Sequence, residues 1–198
     1  MGGVMGQIDR RAQLAGIVVR IAAEQGLDHV SVREVAAAAG LSIGAVQHHF
    51  RTKDAMLLAA FRHYADALTD RIRSMDRSGS PHDTIRRLLF QLLPLDDARS
   101  TETRMFIAFA ARSIVTPELA RVYHEGLDQL RAVLTRLVQV AQDSGMAVTH
   151  LPAETLARTL LAVADGATLQ TVTDRSEEAR EHAIAEINTA LDLVFANG

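Results

Sequence analysis

With 198 residues, 48% of them apolar, and a formal charge of −3 from 21 Lys and Arg against 24 Asp and Glu, the chain can bury a sizeable core and is too apolar to be disordered. The lack of cysteine excludes a disulfide framework, a thiolate zinc site and a thiol nucleophile. The negative total runs against a nucleic-acid partner, because domains that bind one usually carry a basic excess.

No segment reads as a membrane span or an export signal. The longest charge-free stretch, Val35 to Phe50, holds two glycines, a glutamine and two histidines. The opening Met-Gly-Gly-Val-Met-Gly lacks the basic and apolar blocks of a signal peptide and reads as a flexible arm over residues 1–8. The expectation is a cytoplasmic protein.

Strand signals are nearly absent, while Ala, Leu and Arg recur with helical spacing, so the fold class is all-α with about nine helices. The first is expected over Asp9–Gln25, closed by a left-handed Gly26. The second follows the N-cap Ser31, with Glu34 completing a capping box, and stops at Gly40. A short third helix follows Ser42 and ends near Phe50. Thr52 caps a fourth from Lys53 to about Met75, and Asp76–Pro81 is a linker. The fifth runs from Pro81 to Leu93 and the sixth from Ser100 to Ser113. The seventh opens at Thr116-Pro117 and reaches about Ser144. The eighth covers Ala153–Thr173 and the ninth Glu177–Ala196.

Charge is unevenly spread. Residues 1–77 carry ten Lys and Arg and eight acids, a net +2, whereas residues 78–198 carry eleven and sixteen, a net −5. Lys53 is the only lysine, which singles it out among twenty arginines.

The informative stretch is Ser31–Leu57, SVREVAAAAGLSIGAVQHHFRTKDAML. A short helix with Val32, Val35 and Ala36 inward meets a tight turn at Gly40-Leu41. A second short helix then places Val46 and Phe50 on one face. Small residues from Ala36 to Ala39 let two helices cross closely. That is a helix-turn-helix pattern, although an ordinary αα-hairpin with a fortuitous glycine has the same periodicity. With Val46 and Phe50 inward, Ile43, Gly44, Ala45, Gln47 and His48 face outward. Gly44 and Ala45 are small enough for close approach to DNA, and the Gln47 amide matches adenine N6 and N7 in the major groove.

These residues resemble the TetR family of transcriptional repressors. The match runs through Ser31, Val32, Arg33, Val35, Ala36, Ala39-Gly40-Leu41-Ser42, Gly44, Val46, His49-Phe50, Thr52, Lys53-Asp54 and Leu57, and is specific over about residues 10–60. Three positions depart from it: Ala45 replaces a Ser or Thr, Gln47 a Tyr, and Ala22 a Phe, so Ile21 or Leu27 is expected to fill the last space. The resemblance implies an arm at 1–8, a DNA-binding domain at 9–54 and a helical regulatory domain at 55–198. It also implies a homodimer on a double-stranded palindromic operator, released by an unknown small-molecule inducer, with no cofactor and no membrane partner. On it, Ser31, Arg33, Ser42, Ile43, Gly44, Ala45, Gln47, His48, His49 and Lys53 form the DNA surface. Arg33, His49 and Lys53 would meet phosphates, and the helix start capped by Ser31 would offer amides to another. Arg10 and Arg11, on a mobile arm, either enter the minor groove or remain solvated charges.

For the regulatory region, the candidate ligand contacts are His63, Tyr64, Arg104, Phe106, Phe109, Arg112, Tyr123 and Gln170, each of which also reads as core filler or surface. Leu156, Leu160, Val163 and Ala167, with Ile184, Ile187, Leu191 and Val194, form two apolar stripes. They suit a four-helix dimer interface, or equally an intrachain core.

The rival classes have little behind them. No His has an acid three residues before it, no phosphate loop or Gly-x-Ser-x-Gly occurs, and the adjacent His48 and His49 cannot face one metal from one helix, so no metal site and no enzyme is expected. A helical interaction module without DNA binding is the other alternative.

Overall fold

The structure, a computed structural model, describes residues 2–195, with side chains from Arg10 onward. Nine α-helices, one 3-10 turn and no strand are found among them. They are α1 (Gly2–Gln25), α2 (Val32–Ala39), α3 (Ile43–His49), α4 (Lys53–Ser74), α5 (Pro81–Leu92), α6 (Asp97–Ser113), α7 (Pro117–Asp143), α8 (Ala153–Asp174) and α9 (Glu177–Phe195). Among the described residues, no helix is long and apolar enough to cross a membrane.

Most boundaries follow the caps and breakers that mark them, with α6 opening at Asp97, three residues ahead of the expected Ser100, and three further details differ. α1 starts upstream of the expected Asp9, because no proline or capping hydroxyl between Gly3 and Asp9 interrupts the helical register. Arg10 and Arg11 therefore sit on a helix rather than an arm; Met1, where the arm was to begin, and Ala196, the expected end of the last helix, lie outside the described residues. The Ser31 hydroxyl accepts from the Glu34 amide at 3.1 Å but supplies only that half of the expected capping box. The complete box forms at α5, where Ser80 and Asp83 bond reciprocally ahead of Pro81.

Gly26 is the third difference. Its φ of 89° and ψ of 165° lie in a region open essentially to glycine alone, not in the ordinary left-handed cap. This redirects the chain into the 3-10 turn Leu27–His29, which brings Val30 into the core. Gly40 is the left-handed cap, with φ 65°. The Leu41 amide donates to the Ala36 carbonyl and the Gly40 amide to that of Ala37, a Schellman closure.

The chain divides into two compact units. The first holds the chain up to Ala67 together with Ala98–Tyr123; the second holds Leu68–Asp97 and the chain from His124. The expected division at residue 54 separates α6 from α1–α3 by sequence distance, whereas compactness groups them. In the first unit Leu14, Val18, Val19, Ile21, Val35, Val46, Phe50, Met56 and Leu57 are buried. Ile21 lies in the core beside the equally buried Ala22, while Leu27 is only half-buried.

In the second unit α5, α8 and α9 pack with the later part of α7 around Leu88, Leu89, Leu134, Val138, Leu160 and Ile187. Arg86 Nε donates to Asn188 Oδ1 at 2.8 Å, tying α5 to α9. This packing corrects the expected dimer stripes. Leu156, Leu160, Ala167, Ile187, Leu191 and Val194 are buried within the single chain, and Val163 and Ile184 are half-buried. The stripes face inward because α8 and α9 bury them against α5 and each other.

An alanine side chain at position 26 would meet no neighbouring atom, so any cost of replacement there is backbone strain alone. Gly26→Ala is expected to lower unfolding stability by about 1–3 kcal/mol, measured by denaturant titration.

Candidate nucleic-acid interface

The α2–α3 pair is built from the inside outward. Val35 and Ala36 of α2, and Val46 and Phe50 of the α3 segment, are buried. With that face committed, Ser42, Ile43, Gly44, Gln47 and His48 are exposed, and Ala45 and His49 are half-buried. The Ser42 hydroxyl accepts from the Ala45 amide at 3.2 Å and caps α3. Ser31 caps α2 in the same way, and each hydroxyl keeps its own proton to donate outward. Arg33 is exposed on α2.

Gly44 has no intramolecular explanation. Its φ is not positive, and a Cβ placed there would meet nothing within 4 Å. A glycine inside a helix costs roughly 0.5–1 kcal/mol relative to alanine. The space beside it is therefore kept open toward the outside, as close approach of a partner requires.

The basic residues are held more tightly than the sequence suggests. The Arg11 guanidinium lies 5.2 Å from the centre of the Phe50 ring and covers it from α1. Lys53 is half-buried at the start of α4, its Nζ donating to the Asp28 carbonyl at 3.5 Å, while Thr52 Oγ1 caps α4 by accepting from the Ala55 amide at 3.1 Å. One direction of the lysine ammonium is thus fixed, and its other protons remain for a phosphate. His49 stands edge-on to His48 with ring centres 5.3 Å apart. Burial, followed by the charges of His48, Arg11 and Arg10, pulls the His49 pKa below the ordinary histidine value.

The candidate ligand contacts separate into distinct environments. Tyr64, Phe106, Phe109 and Tyr123 come together in the first unit around Phe61, a residue outside the predicted set. Phe61 stacks on Phe109 at 4.2 Å, Tyr64 meets Phe106 at 5.1 Å, and Phe106 lies 5.8 Å from Tyr123. The signal that would have found Phe61 is its spacing, three residues before Tyr64 on one helix face. Phe61, Tyr64 and Phe109 are buried, so their first role is packing; Phe106 and Tyr123 are half-buried.

The other four candidates are engaged or placed elsewhere. Arg104 Nε donates to the Ala23 carbonyl in the last turn of α1, at 3.2 Å, and its Nη2 to Thr101 Oγ1 at 3.2 Å. Arg112 pairs with Asp54 at 3.6 Å. His63 is exposed, with its Nε2 3.7 Å from where a Cβ on Gly16 would lie. Gln170 belongs to the second unit, in a cleft of about 290 Å³ shared with Thr171, Asp174, His182 and Glu186. Among the described residues, no group of three His, Asp or Glu could hold a metal ion.

A short capped helix, anchored on one face and bare on the other behind a glycine turn, is the reading element of a helix-turn-helix DNA-binding regulator. The chain belongs to the TetR family of bacterial regulatory proteins. The family's N-terminal model matches residues 19–60, and that of the BetI-type transcriptional repressor C-terminal region matches residues 81–196. The HTH-type transcriptional regulator PksA of Bacillus subtilis is 28% identical over 172 residues, 85% of this chain and 82% of that protein. A crystal structure of a transcriptional regulator from Rhodococcus sp. Rha1 is 37% identical and superposes with a TM-score of 0.84, covering 94% of this chain and 96% of that one. A putative transcriptional regulator from Saccharomonospora viridis, solved in complex with choline, has the same fold at 20% identity and a TM-score of 0.85, covering 93% and 96% of the two chains. The family's members regulate transcription and are not enzymes.

Because Gly44 serves no internal packing, Gly44→Ala is expected to leave stability unchanged or raise it by up to about 1 kcal/mol. The same variant should weaken specific DNA binding by about tenfold or more, roughly 1.4 kcal/mol. Thermal unfolding and fluorescence anisotropy on one preparation check both halves.

Proposed function

We propose that the protein acts as a homodimeric repressor on a palindromic DNA operator and is released by a small-molecule inducer bound in its helical regulatory region, with the cytoplasm as its place of action. The observation that carries this reading is the exposed face of α3, where Ser42, Ile43, Gly44, Gln47 and His48 stand together above a fully buried Val46 and Phe50. Arg33 and Lys53 flank it for phosphates, with Ser31 and Ser42 contributing hydroxyl donors and Ala45 and His49 at its edge.

The dimer surface is assigned to the outward side of α8 and α9 rather than to the buried stripes. Val163, Ala185, Ala190 and Leu193 line a shallow groove there, together with His182, Glu186 and Thr189, and Leu193 is 72% exposed. Small side chains along α9 suit close crossing by a second copy of the pair. For the inducer, the choline held by the S. viridis regulator points to a small organic cation as the first chemistry to try. Phe106 and Tyr123 supply ring faces of the kind that attract one.

Two measurements test the proposal. Residues 1–54 carry six Lys and Arg against five acids, so few phosphates are neutralised. Binding to duplex from the gene's own upstream region, titrated against salt, should give a log–log slope of about −4 to −6; a slope near −10, or no specific shift by folded dimer, contradicts the reading. Leu193→Glu should fold normally, sediment as a monomer and lose operator binding by about a hundredfold or more, close to 2.7 kcal/mol. An unaltered dimer would place the interface elsewhere.

A further inference from the structure

Ile43 is the one large apolar side chain left strongly exposed among residues 10–67, at 50%. It is the first residue of α3, directly after the capping Ser42, and its neighbour Gly44 leaves open space beside it. Gln47 is one helical turn further on, on the same side of the helix, and is also exposed. The face thus offers a hydrocarbon and an amide one turn apart, with no charged side chain between them.

Ile43 has no donor or acceptor beyond its backbone, so it cannot bind a phosphate or a base edge through a side-chain hydrogen bond. The one apolar group that bases present in the major groove is the 5-methyl of thymine. We infer that Ile43 is a specificity-determining residue that reads a thymine through this methyl group, beside the adenine read by Gln47. Side chains at i and i+4 have Cβ atoms about 5–6 Å apart, and successive base pairs rise about 3.4 Å. The thymine therefore lies within two base pairs of that adenine. This inference rests on the DNA-binding reading of α3 and adds the chemistry by which the operator is chosen. It also accounts for an isoleucine at a water-facing position.

The test selects a high-affinity duplex from a randomised pool with the full-length protein. Each thymine near the symmetric half-sites is then replaced by deoxyuridine, which removes only the methyl group. Gln47→Ala marks the adenine by losing preference at one base pair. Wild-type affinity should fall about three- to fivefold per half-site at one thymine within two base pairs of it, the factor carried by one buried methyl group. Ile43→Ala should bind the thymine and deoxyuridine duplexes equally, whereas Ile43→Val, which keeps the branch, should retain most of the difference. Because Ile43 is exposed, both variants should keep the wild-type melting temperature. No loss at any thymine in that window, or the same loss in Ile43→Ala as in wild type, overturns the inference. A pool that yields no preferred sequence with folded dimer overturns the DNA-binding reading itself.

Discussion

A seven-residue helix has no stability of its own in water, so α3 exists only because something holds it. The holders are Val46 and Phe50, both fully buried, with Phe50 closed from above by Arg11. Everything outward follows from that commitment. Once positions 46 and 50 are fixed in the core, helical geometry sends 44 and 48 to the opposite side, while 43 and 47 stay exposed along the edge of the buried face. The Schellman closure at Gly40 sets where the chain re-enters, and the Ser42 hydroxyl sets where the helix begins. A partner reading this face meets an element positioned by packing rather than by loops.

The electrostatics of that face are sparing. Lys53 is aimed by a carbonyl of the 3-10 turn, Arg11 is spent on an aromatic ring, and the pKa of His49 is lowered by burial and by the positive groups around it. A surface of this kind cannot draw in DNA through a broad field. Such a surface suits a few placed donors and base-edge contacts better than sequence-independent phosphate contact. The acidic remainder of the chain fits this, since a net −5 over residues 78–198 would be repelled from the duplex.

The two arginines that look like ligand anchors in the sequence do something else. Arg104 of α6 donates to a carbonyl in the last turn of α1, where the negative end of the helix dipole favours a cation. Arg112, near the end of the same helix, pairs with Asp54 in the first turn of α4, next to Lys53. These ties are modest; an ion pair as exposed as Arg112–Asp54 contributes at most about 1 kcal/mol. Together with the Phe61–Phe109 stack they hold α6 against the helices that carry the reading element. Compactness for this reason assigns α6 to the first unit, although it lies far along the chain from α3.

Local chemistry wrote much of this protein legibly. Alternation at 3.6 residues, the hydroxyl caps at Ser31, Ser42 and Ser80, and the glycine at 40 determine the helices and the outward set on α3, because each acts within one or two turns of its own position. What depends on distant neighbours was decided only by the tertiary structure. The stripe Leu156, Leu160, Ala167 on α8 has the same periodicity whether it meets its own α5 and α9 or a second chain, and only packing shows that it meets its own. Gly26 looks like an ordinary cap until its ψ shows a glycine-only turn. Arg104 and Arg112 have the chemistry of ligand contacts until their partners, Ala23 and Asp54, appear from the other end of the first unit. Periodicity tells a side chain which way to face along its own helix; only the fold determines what stands opposite.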